Sequence, residues 1–594
     1  MKQKSKDKWD LKLFYDSSKD KKIEADTVAI EKLHADFAAK YENKSDYLND
    51  EKALEGALRD FEKLVEFGSA WKPVMYFHYR KDLDSSDSDA EARKNILISR
   101  LTGAANKTVF FTNRLSKITK EKQREFFSSS VLSPFKYFLK VIFSEAKHNL
   151  TEAEEKILNL KLLPARELWI SGQEKLLNSQ TVLFGKKEVP LPEAMGKLSE
   201  LKRNDRHALG ERIVAKLREM SFFAEQEINA VYTNKKIDDQ LRNFLKPYSA
   251  TVLSNQNEAP TIDLLVKTVS ENFQVSHDFY SLKAKLMGEK RLLYSDRAAA
   301  VGKTNSTFSF TEGVSLLQKT FGDVDPEYGN ILESFVARGQ IDVFPKKGKT
   351  GGAYCSGSQN TPTLILLNFT KNTDSIMTFG HEMGHAIHTE LAKGDQPPLY
   401  RDYSYATAEI ASTLFENFTF AELFDRLSDQ EKIIALHDRL NDDIQTIFRQ
   451  VACFNFEMAL HEKIRTVGFA SKEEIALLLN REMKKYLGPL FDMKENDGYF
   501  FVSWAHIRRF FYVYTYAFGQ LASKAMYRKY LADKSFAKNI RKFLSAGSSD
   551  SPENILRSVG INISDPAFFR AGIQSISDEI KQLCTLATKA RLIK

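Results

Sequence analysis

The chain has 594 residues, 42% hydrophobic and 28% charged, with a net charge of +8. That is enough apolar material for a large core, and it excludes global disorder, a collagen-like repeat and a membrane-embedded protein. The 27 glycines and 15 prolines are about 4.5% and 2.5% of the residues, against about 7% and 5% in ordinary proteins, so turns are few and long helices are the simpler reading.

Lysines in Met1–Lys8 and Lys19–Lys22 supply much of the positive excess. This reads as a solvated basic surface. No concentrated basic stripe or motif points to a nucleic-acid partner. The N-terminus has charge but no apolar run behind it, so no secretory signal is visible. The three cysteines, Cys355, Cys453 and Cys584, are odd in number and far apart, which argues against a disulfide framework or a thiolate metal site. The chain reads as cytoplasmic, with no membrane partner. Its oligomeric state is left open, a monomer included.

Along the first ~200 residues one amphipathic helix follows another. Ile30–Tyr41 and Ala53–Phe67 carry apolar residues at three- and four-residue spacing. Pro134, Pro164 and Val189-Pro190-Leu191-Pro192 mark breaks. The helical habit stops at Lys346–Pro362, which is rich in Gly and Thr, and at the apolar run Thr363–Thr370 that follows. The run reads as a strand with Ala353–Ser356 as its partner. Asn372–Asp374 then resembles a helix cap, with the helix running from about Ser375 to Leu391. From Glu409 onward the pattern is helical again, with a break at Ser545–Pro552.

The Ser375 helix contains Gly380-His381-Glu382-Met383-Gly384-His385, an H-E-x-x-H arrangement. Residues four apart lie one turn apart on one side of a helix, so His381 and His385 can present two imidazoles to one tetrahedral zinc. Glu382 sits about 100° round the helix. It is poorly placed as a ligand and well placed as a general base toward a zinc-held water. Gly380 and Gly384 each weaken a helix by about 1 kcal/mol relative to Ala, which makes sense where another segment or a substrate comes close.

A catalytic zinc needs a third protein ligand and one open position. Glu409, 24 residues beyond His385 in Ala406–Glu416, is the first candidate, and His388 competes with it. Glu416 lies two turns further along the same face as Glu409 and could orient a ligating imidazole. Far downstream, Trp504–Gly519 carries His506, Tyr512, Tyr514 and Tyr516, a source of donors for an oxyanion.

These segments together resemble the thimet-oligopeptidase (M3) family of zinc metallopeptidases, in its oligoendopeptidase F branch. The residues that carry the resemblance are Ala353–Ser356, Thr363–Thr370, Phe379–His388, Ala408–Ser412, Phe456–His461, Tyr512–Ala517, Leu544–Gly547 with Pro552, and the opening Trp9-Asp10-Leu11. The resemblance implies a mainly α fold: a helical ellipsoid with a deep substrate channel and a small β-sheet beside the zinc helix. It implies residues 1–200 as an N-terminal helical domain, a lid or channel wall, and 201–594 as the catalytic domain. It places one Zn2+ per chain on His381, His385 and Glu409, with Glu382 as the base. The donors map onto Tyr514 and His506, with Tyr512 in reserve. Oligopeptide substrates would pair with Thr363–Thr370 or with the segment holding Gly352 and Tyr354, and His388 and Glu416 would stand behind the ligands or against substrate. The family pattern has Ile-Pro-His-Phe where this chain has Trp504-Ala-His506-Ile, which leaves the placement of His506 open. The implied activity is metalloendopeptidase. A carboxypeptidase or dipeptidyl carboxypeptidase of the same clan, and a non-catalytic peptide-binding scaffold, stand as alternatives.

Overall fold

The structure, a computed structural model, describes residues 6–68 and 71–593. Helices dominate. Among the described residues strands form a hairpin, β1 (Thr181–Phe184) with β2 (Lys187–Pro190), and one three-stranded sheet of β3 (Ile341–Asp342), β4 (Tyr354–Ser356) and β5 (Leu364–Leu366). The mainly α class and the small sheet are as the sequence predicts. No helix among the described residues is long and apolar enough to cross a membrane.

The chain divides into two compact units that alternate along it. One comprises Met1–Lys147, Ser306–Asp425 and Met526–Ile561; the other comprises His148–Asn305, Arg426–Ala525 and Asn562–Lys594. Residue 200, where the sequence suggests a boundary, falls inside the second unit.

In the first unit the helices Lys21–Tyr41 and Glu51–Lys63 begin at Asp20 and Asp50. Each aspartate accepts an N–H of the first turn, satisfying a donor that has no partner within the helix. The second helix runs on into a π-helical turn, Leu64–Gly68. One core gathers Phe37, Tyr47, Phe111 and Leu139 from these and neighbouring helices. A second core joins the N-terminal segment to the sheet: Trp9, Phe14, Tyr79 and Leu101 pack with Leu364 and Leu366. The Trp9 indole N–H donates to the Ile365 carbonyl (2.8 Å), and its ring meets Tyr79 and Tyr354 edge to face. The Tyr79 hydroxyl donates to Ser356 (2.9 Å), and the Tyr354 hydroxyl donates to Asp82.

Sheet order is β3-β5-β4. β5 runs parallel to β3 and antiparallel to β4, with Cys355 opposite Ile365. The expected strand and its partner are present, but shorter than Thr363–Thr370, and β3 is an addition. Lys349 braces the sheet from below: its buried ammonium pairs with Asp342 (2.7 Å) and donates to the Phe344 carbonyl (2.9 Å).

The second unit is built on the 39-residue helix Arg203–Leu241, about 58 Å long at 1.5 Å per residue. The hairpin β1–β2 was not expected. Val189-Pro190 closes it, and Leu191-Pro192 opens the next helix, where a proline in the first turn lacks only an N–H that would go unpaired anyway. Deep in this unit the Lys524 ammonium meets Asp443 (2.7 Å) and Glu579 (3.5 Å), and Arg439 meets Glu579 (3.1 Å), so two buried acids are balanced by two cations.

Trp9 couples residues near the N-terminus to a sheet more than three hundred positions away. Trp9→Phe should lower the unfolding free energy of the first unit by about 1 kcal/mol for the lost hydrogen bond, and Trp9→Ala by about 3–5 kcal/mol, read from urea unfolding. Equal midpoints for Trp9→Ala and the parent chain would refute the role given to this residue.

Candidate active site

The helix carrying the motif spans Thr373–Asp395. Asn372 caps it by accepting the Ser375 N–H (3.0 Å), so it starts where the sequence places a cap and ends four residues later than expected. The next helix, Tyr405–Arg426, packs against it without room for side chains between them. A Cβ at position 380 would run into Thr419, with its Cβ at 3.0 Å. A Cβ at position 384 would lie 2.8 Å from the Ser412 Cα and 3.1 Å from the Ala411 carbonyl. The two glycines are thus explained by the neighbouring helix.

This approach brings Glu409 and Glu416, two turns apart on one helix, to opposite sides of His381. His381 Nδ1 is 2.5 Å from Glu416 Oε1, and Nε2 is 3.9 Å from Glu409 Oε2. The His385 ring stands edge to face on His381 at 4.9 Å. One ligand atom each from His381, His385 and Glu409 falls within 4.8 Å of the others. Among the described residues this is the group of His, Cys, Asp and Glu side chains that could hold a metal ion. Two imidazoles and one carboxylate are the donor set of a three-ligand catalytic metal site with an open position. Glu416 on the far nitrogen of His381 turns its near nitrogen toward that point.

The electrostatics agree with a site made for a cation. With protein groups alone acting, burial pushes the Glu382 carboxyl up to about 7. His381 opposes this, Glu409 and Glu416 add to it, and the Cys355 backbone N–H favours the charged form. Burial also raises Glu409. It works against charging His381, but Glu416, Glu382 and Glu409 outweigh it and take that imidazole to about 9. Burial holds His385 well below its usual value, so that ring is neutral and free to ligate.

His388 stands apart from this group. Its ring stacks on Tyr403 at 3.7 Å and near Phe543 at 5.7 Å, and burial lowers it to about 3. It is a neutral packing residue behind the motif helix. Tyr403 in turn shares a hydrogen bond with Thr389 (2.6 Å), whose hydroxyl donates to the His385 carbonyl (2.9 Å). That chain steadies the His385 turn and left no mark in the sequence pattern. Gly352, at φ +75°, lines a cavity of about 300 Å3 with Ala353, Asn368, Asp374 and Thr378. Tyr354 is held against Asp82 and the Trp9 ring.

The remaining candidates lie in the second unit. Tyr514 is fully buried and its hydroxyl donates to Asn257 (3.0 Å). His506 Nε2 is instead 3.3 Å from the Tyr516 hydroxyl, and the Tyr512 and Tyr516 rings meet edge to face at 5.4 Å. His506, Tyr512 and Tyr516 are only half-buried. Of the three tyrosines, Tyr514 is the one that is fully buried.

A helical scaffold holding an H-E-x-x-H pair and a spaced glutamate around one point is that of a metallopeptidase. The profile of peptidase family M3 matches residues 228–575, more than half of the chain, and that of oligopeptidase F matches residues 114–170. The chain therefore belongs to peptidase family M3 and is a metalloendopeptidase. It is 25% identical to oligopeptidase PepF of Bacillus subtilis over 87% of this chain and 78% of that one. It is 26% identical to the oligoendopeptidase F homologue of Borreliella burgdorferi, over 92% and 98%. Its fold matches oligoendopeptidase F from Enterococcus faecium with a TM-score of 0.69 at 18% identity, covering 96% and 99% of the two chains.

Gly380→Ala should cost about 1–3 kcal/mol, and Thr419→Ala should restore part of it, because the obstacle is a side chain. Gly384→Ala should cost at least as much and resist rescue by trimming any side chain, because the obstacle is backbone. Thermal unfolding of the single and double variants reads this directly; equal rescue at both sites would contradict the packing described.

Proposed function

We propose that this metalloendopeptidase is zinc-dependent and cleaves internal bonds of oligopeptides. The observation that carries the reading is the convergence of His381, His385 and Glu409 on one point, with the raised Glu382 carboxyl beside them. These three side chains would hold the zinc. Zinc bound there would supply Lewis-acid activation of a water and of the scissile carbonyl. Glu382, near neutrality, can take a proton on its carboxylate during attack and return it to the leaving amine.

Substrate orientation follows from sheet order. β5 has partners on both sides, while β4 is an edge strand. An extended peptide would add to Tyr354–Ser356, the segment whose Cys355 N–H faces Glu382, and not to the expected run Thr363–Thr370. For the oxyanion donors we take the half-buried Tyr512 and Tyr516, with His506, ahead of the fully buried Tyr514. We place the enzyme in the cytoplasm, in keeping with three free cysteines.

Glu382→Gln should retain stoichiometric zinc by metal analysis and lose at least about a hundredfold in kcat on a quenched internal-bond peptide with an amidated C-terminus. A chelator should abolish cleavage by the parent, and zinc should restore it. Normal turnover by Glu382→Gln would sink the assignment, and failure to cut the amidated peptide would favour a carboxypeptidase.

The tyrosines separate by two readouts. Tyr514→Phe strands the Asn257 oxygen and should cost about 1–3 kcal/mol of stability with kcat nearly kept. Tyr512→Phe or Tyr516→Phe should lower kcat about a hundredfold. The reverse pattern would return the donor role to Tyr514.

A further inference from the structure

We propose that Tyr280, Tyr294, Arg297, Arg449 and Tyr486 form a buried binding site for a small monovalent anion, chloride in size and charge, inside the second unit. Four separate stretches of chain bring them together: the helix Gln274–Met287, the turn Tyr294–Asp296 with the following Arg297, the start of the helix Arg449–Val467, and the last turn of the helix Lys472–Leu487. The three tyrosines are almost wholly buried; the Tyr294 hydroxyl has no hydrogen-bond partner, and the Tyr280 and Tyr486 hydroxyls have none but each other. The Nε–H groups of both arginines are likewise buried and unpartnered.

The groups face one another. Both guanidinium groups act electrostatically on the Tyr280 and Tyr486 hydroxyls, and Arg297 also lies over the Tyr294 ring at 4.4 Å. Arg449 lies over the Trp504 ring at 4.3 Å, which fixes its plane. Neither arginine has a carboxylate within ion-pair distance among the described residues. The nearest acid acting on Arg297 is Asp497, whose own oxygen accepts the Lys494 N–H (2.8 Å). Lys283 lies here too: its amine donates to the Arg297 carbonyl (2.8 Å) and to Asn441 (2.9 Å), and burial lowers it to about 7.

A buried polar group without a partner costs about 1–3 kcal/mol, and here the Tyr294 hydroxyl and both arginine Nε–H groups are unpaired in one region. Burial raises Tyr280 and Tyr486, so their hydroxyls stay protonated and can donate. A water molecule would satisfy some donors but leave the two guanidinium charges uncompensated. An anion accepts from the hydroxyls and the guanidinium N–H groups together and balances the excess charge. The site lies in the second unit, apart from the ligand set on the motif helix, and the proposed peptidase reading does not depend on it.

The test uses the whole protein, unfolded by heat in potassium chloride and in potassium gluconate at one ionic strength. Chloride at a hundredfold excess over its dissociation constant should raise the transition of the second unit by about 4 °C. Crystals grown in bromide should show an anomalous peak within hydrogen-bond distance of Arg297, Arg449 and the tyrosine hydroxyls. Tyr486→Phe keeps the ring and removes one donor. It should fold normally and lose the chloride dependence. Identical transitions of the parent in the two salts, or a bromide crystal with no anomalous peak there, would overturn the proposal.

Discussion

Everything at the candidate centre depends on how closely two helices approach. Gly380 and Gly384 let the helix Tyr405–Arg426 lie against the motif helix at backbone distance, with Thr419 filling one gap and the Ser412 backbone the other. Only at that separation can Glu409 and Glu416, one stripe of a single helix, reach the two nitrogens of one imidazole. The cost is electrostatic. Three carboxylates and two imidazoles are packed into a region where burial penalises every charge. Protein groups relieve part of this by charging His381, and a divalent cation would relieve the rest while using the same oxygens and nitrogens.

The sheet extends the constraint outward. β4 sits at the edge because β5 is taken on both sides, and its middle residue directs an N–H at Glu382. The proton-handling carboxylate is therefore registered to the strand on which an extended peptide would lie. The strand in turn is held from behind by Tyr79 and Asp82 of the helix Lys72–Leu83 and by the Trp9 ring against Tyr354. Those N-terminal residues belong to the same compact unit as the motif.

What could be read in the sequence follows from the range of each interaction. H-E-x-x-H, the cap at Asn372 and the common face of Glu409 and Glu416 are set by helix periodicity, so spacing alone reveals them. The role of the glycines was half legible: close approach was evident, its partner was not, because Thr419 and Ser412 are met through tertiary packing. β3 is two residues long and pairs in parallel with a strand 24 positions on, below any local signal. The alternation of Tyr512, Tyr514 and Tyr516 suggests three equivalent donors. Tyr512 precedes the helix Tyr514–Ala532 and Tyr516 lies in its first turn; both are half-buried, whereas the Tyr514 hydroxyl donates to Asn257. Nothing in the spacing tells which side of that helix is the core.

The departure around His506 has a physical resolution of the same kind. A proline stiffens a turn by fixing φ and removing conformations from the unfolded chain. This chain has Ala505 there and achieves stiffness by contacts. The buried Arg508 guanidinium forms a two-pronged pair with Glu227 (3.0 and 2.7 Å) and donates to the carbonyls of Phe501 and Trp504 (both 3.0 Å). The Tyr232 hydroxyl donates to the Ile507 carbonyl (3.0 Å), and Glu457 accepts the Phe511 N–H (2.7 Å). Phe510 and Phe511 are held at φ +45° and +62°, a region bulky residues avoid, so the turn keeps its shape against a local preference. The segment between Trp504 and Tyr512 is therefore over-determined by its surroundings. Arg508, two residues beyond His506, is what fixes the loop presenting it.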